Sequence, residues 1–246
     1  MSTDRTRRIH IWSGPRNVST ALMYSFAQRS DTRVVDEPFY GHYLRVTDAV
    51  HPGTDEFIDQ LDPDGERVIR EVIFGECEAP LLVFKQMAHH RVSLSSDFLG
   101  ATEHVFLIRD PRDMLPSLVH QIPNPTLRDT GLGDQSALWN ELVALGIRPP
   151  VLDSRELLLD PEGVLRLLCD HLDIPFEPNM LEWEAGPRPE DGPWAPYWYH
   201  NVHRFTGFAP YRPKDVEVPA EQATLLEECL QHYEPLAAEA LSTRTK

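Results

Sequence analysis

The chain has 246 residues, 41% of them hydrophobic and 25% charged, and is long enough to bury the core of one large α/β domain. Its formal net charge of −16 argues against a nucleic-acid partner, because binding to a phosphate backbone needs a surplus of lysine and arginine. No apolar run approaches the ~20 residues of a membrane helix, so no membrane partner is expected. No Gly/Ser-rich or charged linker divides the chain, which predicts a single domain over residues 1–246.

The N-terminal residues and the cysteines bear on location and on metal binding. Residues 1–8 are polar and charged and show no apolar segment of the signal-peptide kind, which favours a cytoplasmic protein. Cys77, Cys169 and Cys229 are odd in number and far apart, a pattern that is typical neither of a disulfide framework nor of a zinc site. We therefore expect no metal.

Short apolar runs alternate along the chain with segments that carry apolar residues on one face. Strands are predicted over residues 9–12, 33–35, 81–84 and 104–108. Helices are predicted over residues 18–28, from 111 onward, over 134–146, from 161 onward and over 219–233. Residues 187–213, rich in proline and aromatic side chains, are expected to be irregular. The alternation favours a mostly parallel, doubly wound sheet, in which ligands lie beyond the carboxyl ends of the strands.

The segment after the first predicted strand has the features of an anion site. Residues 13–20 read Ser-Gly-Pro-Arg-Asn-Val-Ser-Thr and join a strand to a helix, so the free N–H groups of the first turn point at a ligand. Arg16 adds a guanidinium, and Ser19 and Thr20 add hydroxyl donors. The second glycine and the lysine of a Walker A loop are missing, which weakens an ATPase interpretation. A capped helix preceded by a turn is the alternative interpretation.

A second candidate anion site follows the strand predicted over residues 104–108. Arg109 ends this strand, and Ser117 lies about two turns along the helix that follows, so one phosphate could bridge them. Asp110 occupies the position of a magnesium-binding aspartate, but Arg109 and Arg112 beside it favour an anion over a cation. The competing interpretation is a solvated turn with local ion pairs.

Together these segments resemble the sulfotransferase family. Residues 13–20 are similar to its 5′-phosphosulfate loop, and residues 106–113, with Ser117, are similar to its 3′-phosphate motif. Residues 154–158 and the leucine-rich run that ends at Phe176 are similar to the family's late strand and the helix after it. The resemblance covers roughly residues 8–176. It implies a single-domain, P-loop-like three-layer α/β fold with a mostly parallel central sheet.

The resemblance also implies a donor, 3′-phosphoadenosine 5′-phosphosulfate (PAPS), used without a metal. Arg109 and Ser117 would bind its 3′-phosphate. Arg204 with Gly207 loosely matches the basic residue and glycine that the family places over the same phosphate, and an exposed loop cation is the alternative. The phosphosulfate would lie on the loop residues Gly14, Pro15, Arg16, Asn17, Val18, Ser19 and Thr20.

The general base is left open between a glutamate and two histidines. The Lys-x-His pair of cytosolic family members is absent after Lys85. Glu37 matches the glutamate base of some bacterial and carbohydrate-type members and is the first choice, with His89 or His90 as the alternative. Lys85 resembles the family lysine that contacts the bridging oxygen of the donor. An ordinary structural ion pair between Glu37 and a nearby cation is the competing interpretation.

The predicted function is therefore transfer of a sulfuryl group to an unidentified small-molecule or carbohydrate acceptor. A P-loop kinase-like phosphotransferase with magnesium, or a nucleotide-binding module without activity, are the alternatives. Alcohol, phenol, amine and sugar acceptors all stay open, because residues 40–60 and 123–133 carry little signal. The oligomeric state is not predicted. Aromatic side chains that could stack on adenine or on an acceptor, or simply pack under a loop, are Trp194, Tyr197, Trp198 and Tyr199.

Overall fold

A parallel sheet of five strands forms the centre of the fold in the computed structural model, which describes residues 6–213 and 218–244. Neighbouring strands pair in parallel throughout, in the spatial order β2-β3-β1-β4-β5. This confirms the predicted parallel sheet. The polar residues 1–5, part of the segment used to predict the location, lie outside the described residues. The strands are β1 (Arg7–Ser13), β2 (Thr32–Asp36), β3 (Leu81–Met87), β4 (Glu103–Ile108) and β5 (Val151–Asp153).

Helices connect the strands and cover the sheet. In the described ranges, the helix that follows β1 and the two that follow β5 are the main cover of one face, and the longest helices cover the other. No helix in the described part of the chain is long and apolar enough to cross a membrane. The helices are α1 (Ser19–Ala27), α2 (Tyr40–Thr47), α3 (Thr54–Phe57), α4 (Gly65–Val68), α5 (Pro111–Leu118), α6 (Leu127–Thr130), α7 (Leu132–Ala144), α8 (Ser154–Leu159), α9 (Pro161–His171), α10 (Ala195–Trp198) and α11 (Ala223–Ala238).

Two hydrophobic cores lie on opposite faces of the sheet, because successive side chains of a strand point to opposite sides. Ile9 and Ile11 of β1 pack in the core that includes α1 and α9. Trp12 belongs to the other core, with Leu138 and Leu142 of α7. Burial on both faces explains why the strands are nearly continuous apolar runs. The architecture is thus a three-layer α/β sandwich.

The end of β3 differs from the prediction. The third strand was expected to stop before Lys85, yet β3 continues to Met87, because these residues keep the parallel pairing with the end of β1. Lys85 pairs in register with Ile11 and is fully buried. A charged residue at the end of an apolar run therefore does not mark the end of this strand.

Two other predicted elements are corrected. Residues 154–158, likened to a strand, form most of α8, because the side chain of Asp153 accepts the N–H of Arg155 and caps a helix there. The strand is the shorter β5 before it. The last helix begins at Ala223, not at 219, and continues past the predicted end to Ala238, which buries Leu236 in the core.

Two histidines are buried in the core beside β1. His10 is fully buried and stacks between Trp12 and Phe84, and its Nε2 has no hydrogen-bond partner among the described residues. Burial lowers the pKa of His10 well below 6.5 and the pKa of His104 to about 4. Both imidazoles are therefore neutral in the folded protein at pH 7. The unfolded chain takes up protons at these positions once the pH falls below about 6.5, which the folded chain resists.

The free energy of unfolding should fall as the pH decreases from 6.5 toward 4.5, and His10→Phe should make this fall shallower by about 1.4 kcal/mol per pH unit. The variant removes one proton that only the unfolded chain binds in this range. Urea unfolding at several pH values measures the slope. His120 is exposed, so His120→Gln should keep the wild-type slope. A His10→Phe slope equal to that of the wild type would contradict the expectation.

Candidate active site

The loop between β1 and α1 is held in one conformation by contacts with its surroundings. Gly14 lies against the carbonyl oxygen of Thr130, and an added Cβ would come within 2.6 Å of that oxygen. Arg16 has a positive φ of 55°, where the chain turns into the helix. Asn17 fastens the loop to β4, since its Nδ2 donates to the carbonyl oxygen of Leu107 at 2.8 Å. The loop is therefore preformed before any ligand binds.

A cavity of about 290 Å³ lies beyond the carboxyl ends of the strands. Residues 15–21 of the loop and of the first turn of α1 line one wall, so the unpaired N–H groups at the start of this helix lie beside the cavity. Glu37, Lys85 and Arg109 line it as well. Aromatic residues of the segment after α9 complete its wall. The structure thus brings residues of the loop together with Glu37, Lys85 and Arg109 in one cavity.

Two guanidinium groups meet beside the loop. Arg16 donates from its Nε to the Oγ of Ser117 at 3.0 Å, and Arg109 donates to the backbone carbonyl of Arg16. Burial lowers the pKa of both arginines, but guanidinium is so basic that both stay charged. Two partly desolvated positive charges next to a helix N-terminus make this wall of the cavity a strong anion site.

The order of the strands separates two kinds of chemistry along the edge of the sheet. Glu37 follows β2, and Lys85 lies in the neighbouring β3. The loop follows the central β1, and Arg109 follows β4 beyond it. Strands in a sheet lie about 4.8 Å apart, so the segments after β2 and β4 are separated by roughly 14 Å. Arg109 and the buried acid therefore lie on opposite sides of the loop, which itself carries Arg16.

Lys85 is the centre of a buried polar cluster. Its Nζ donates to the Oδ1 of Asp36 at 2.9 Å, to the Oε1 of Glu37 and to the hydroxyl of Tyr199 at 2.7 Å. Burial alone would lower the pKa of Lys85, but the two carboxylates raise it. The hydroxyl of Tyr199 in turn donates to the Oδ2 of Asp36 at 2.7 Å. All three ammonium protons therefore have partners, and two carboxylates share the single positive charge of Lys85.

Glu37 occupies a strained turn at the end of β2. Its φ is 38°, and its N–H donates to the carbonyl oxygen of Lys85 at 2.9 Å, which fixes the turn against β3. Burial raises the pKa of Glu37, although the adjacent Lys85 lowers it. Its second carboxylate oxygen, Oε2, lies 3.7 Å from the Nδ1 of His90. Glu37 thus has one oxygen on a cation and one directed toward a histidine.

Comparison with known proteins identifies the family. The family model of the sulfotransferase domain matches residues 7–240, nearly the whole chain. The chain belongs to the sulfotransferase family. The fold and the family expected from the sequence are therefore confirmed.

The sequence relatives have a different description, and the solved structures share the fold of this chain. The chain is 42% identical over 226 residues to two Arabidopsis thaliana proteins, branched-chain-amino-acid aminotransferase-like proteins 1 and 2. That match covers 92% of this chain but spans only 40% of the length of each relative. The sulfotransferase domain from the curacin biosynthetic pathway aligns with a TM-score of 0.54 at 17% identity, covering 94% of this chain and 98% of that one. The sulfotransferase domain of the Synechococcus PCC 7002 olefin synthase aligns with a TM-score of 0.53 at 15% identity, covering 93% and 97%. At these identities the two structures show a shared P-loop-like fold.

The two candidate histidines of this sulfotransferase lie together in a short helical turn after β3. Both are buried, and burial lowers the pKa of His89 to about 4 and that of His90 well below 6.5. His90 stacks between Tyr40 and Tyr43, with ring centroids at 4.8 and 4.6 Å. Neither Nδ1 has a hydrogen-bond partner among the described residues. At neutral pH both rings are uncharged and line the same cavity as Glu37.

The other predicted residues differ in how they relate to the cavity. Ser117 contacts Arg16, and Gly14 supports the loop from behind. Arg204 is exposed at the end of a short helical turn and is not part of the cavity lining, whereas Gly207 is. Sequence reasoning did not single out Asp36 as a partner of the buried lysine. Nor did it identify Arg155 and Arg212, which line a second cavity of about 300 Å³ together with Arg109. Their spacing in sequence carries no motif that would reveal this.

Lys85→Met should lower the free energy of unfolding by about 3–5 kcal/mol, because Asp36 and Glu37 would remain buried without their counter-charge. Urea unfolding at pH 7.5 measures the change. The matched control is Arg166→Met, which removes the cation of an exposed pair with Glu162 and should cost less than about 1 kcal/mol. If Lys85→Met lowers the free energy of unfolding as little as the control does, the buried charges do not stabilise each other.

Proposed function

We propose that this enzyme transfers the sulfuryl group of PAPS to an acceptor hydroxyl, with Glu37 as the general base. The observation that carries the proposal is the order of groups along the sheet edge, where the loop with Arg16 lies between Arg109 and a buried carboxylate. A donor bound on the arginine side would present its sulfur toward Glu37. In-line transfer needs this arrangement, with the leaving oxygen and the acceptor on opposite sides of the sulfur.

The donor's two anionic groups are assigned to the two arginines. The N–H groups at the start of α1, with Arg16, Ser19 and Thr20, support binding of the 5′-phosphosulfate. Arg109 and Ser117 support binding of the 3′-phosphate. The two sites adjoin because Arg16 already contacts Ser117 and Arg109 contacts the loop. These cations neutralise the donor directly, so the proposal requires no metal.

Asp110 favours this assignment over a magnesium-dependent kinase. Its Oδ1 accepts the backbone N–H of Arg112 at 2.8 Å and so caps α5. Its Oδ2 also pairs with the Arg112 guanidinium at 3.0 Å. A carboxylate engaged with an arginine is a poor ligand for a divalent cation.

In the proposed step the acceptor oxygen attacks sulfur while the bond from sulfur to the bridging phosphate oxygen breaks. The acceptor proton passes to Glu37, and adenosine 3′,5′-bisphosphate leaves with the bonding electron pair. Glu37 loses its negative charge at that moment, so Lys85 no longer needs to balance it. One ammonium N–H is then free to stabilise the charge that develops on the leaving oxygen. Proton transfer at one end of the reaction would thereby support bond breaking at the other.

Adenosine 3′,5′-bisphosphate in EDTA should raise the midpoint of thermal unfolding by about 5–10 °C at roughly 100 times its Kd. The arginines and the helix N-terminus neutralise the ligand without a metal, so chelation should not reduce the shift. A midpoint that responds to magnesium-ATP and not to the bisphosphate would overturn the assigned donor.

Arg109→Ala should weaken binding of adenosine 3′,5′-bisphosphate by about 10- to 150-fold while changing the affinity for adenosine 5′-phosphate little.

Glu37→Gln should reduce turnover by about 100-fold or more and leave the affinity for adenosine 3′,5′-bisphosphate nearly unchanged. The amide keeps the shape of the side chain but cannot accept the acceptor proton. Steady-state rates and calorimetry provide the two measurements. His89→Ala and His90→Ala are the comparison variants. Near-normal turnover of Glu37→Gln, with turnover lost in one histidine variant, would assign the base to that histidine.

A further inference from the structure

The cavity wall on the Glu37 side is built from aromatic rings that contact each other. Tyr40 stacks on His90 at 4.8 Å and meets Trp194 edge-on at 5.0 Å. His51 lies between Tyr40, at 5.6 Å, and Trp198, at 5.9 Å. All five rings line the cavity. The acceptor side therefore presents continuous ring surface.

Hydrogen bonds within the wall occupy several of its polar atoms. The hydroxyl of Tyr40 is bonded to the Nδ1 of His51 at 2.6 Å. Trp194 donates from its Nε1 to the hydroxyl of Tyr199 at 3.1 Å, and that hydroxyl is also held by Asp36 and Lys85. Glu37 Oε2 and the Nδ1 atoms of His89 and His90 are the polar atoms left for an acceptor, so an acceptor with many hydroxyl groups would regain only part of its hydration. Glu37 Oε2 is the oxygen available to receive one hydroxyl proton.

The charged groups on this side of the cavity do not favour binding of an ionised acceptor. The cations that line the cavity in the described residues are Arg16, Lys85 and Arg109. The two arginines lie on the donor side, and Lys85 has all its protons engaged. His89 and His90 are neutral because burial lowers the pKa of each. A carboxylate or phosphate on the acceptor would thus be buried without a counter-charge.

From this wall we infer that the acceptor is an uncharged aromatic compound with one reacting hydroxyl group, held by stacking on Tyr40, Trp194 and Trp198. The inference rests on the proposed function, because it assigns the β2 and β3 side of the cavity to the acceptor. It narrows the acceptors left open by the sequence to phenols and aromatic alcohols. The same wall disfavours sugars and acidic acceptors.

Binding of three probes to the whole enzyme tests the inference independently of turnover. The probes are 2-naphthol, its carboxylate analogue 6-hydroxy-2-naphthoate, and methyl glucoside. Equilibrium dialysis is done with and without adenosine 3′,5′-bisphosphate, so the result for the acceptor does not depend on the identity of the donor. We expect 2-naphthol to bind at least about 10-fold more tightly than the naphthoate, and methyl glucoside to show no binding.

Trp198→Ala tests whether the ring wall holds the acceptor. It should weaken 2-naphthol binding by about 10-fold and leave the affinity for the bisphosphate within about 2-fold, while Trp198→Phe keeps most of the naphthol affinity. Tyr197→Ala is the matched control, because Tyr197 belongs to the same short helix but packs against Phe57 and is not part of the cavity lining. It should leave naphthol binding unchanged.

Three results would overturn the inference. They are equal binding of the naphthoate, binding of methyl glucoside, or absence of 2-naphthol binding with and without the bisphosphate. Loss of bisphosphate binding alone, with 2-naphthol still bound, would instead contradict the proposed donor. The two proposals therefore fail in different measurements.

Discussion

The arrangement of the active site depends on one buried ammonium group. Lys85 lies inside β3 and is fully desolvated, which is unfavourable unless its charge is compensated. Asp36, Glu37 and Tyr199 provide that compensation from β2 and from the segment after α9. To satisfy the lysine, the end of β2 must turn sharply and the aromatic segment must close over the sheet. The position of the carboxylate and the wall of the cavity are thus consequences of one electrostatic requirement.

The opposite side of the cavity is governed by backbone geometry instead of buried charge. Gly14 permits close approach to Thr130, and Asn17 fastens the loop to β4. The positive charges of Arg16 and Arg109 oppose each other, and Asp113 and Asp153 partly offset the charge of Arg109. A positively charged side and an aromatic side with a buried ion-pair cluster meet at the loop. Because the two sides of the cavity share few residues, each side can suit a different ligand.

The sequence predicted local features well and long-range contacts poorly. The loop over residues 13–20 and the segment around Arg109 were recognisable because their residues are adjacent or follow one helical spacing. The parallel sheet followed from alternation of apolar runs. The role of Tyr199 as a partner of Lys85 was not predictable, because that contact depends on how an irregular segment folds over the sheet. For the same reason a buried lysine within a strand was mistaken for a strand end.

The contacts of Lys85 also shape how the chain reaches its native state. Its hydrogen bond with Tyr199 joins residues 114 positions apart, and the bond from Tyr199 to Asp36 spans 163 positions. Closing such long loops is entropically costly and slow compared with forming local helices. Before the segment with Tyr199 closes over the sheet, hydration of Lys85, Asp36 and Glu37 is more favourable than their burial. Early docking of β2 at the edge of the sheet is therefore stabilised little. We expect this edge to be consolidated late in folding and to open first on unfolding, ahead of the loop between β1 and α1.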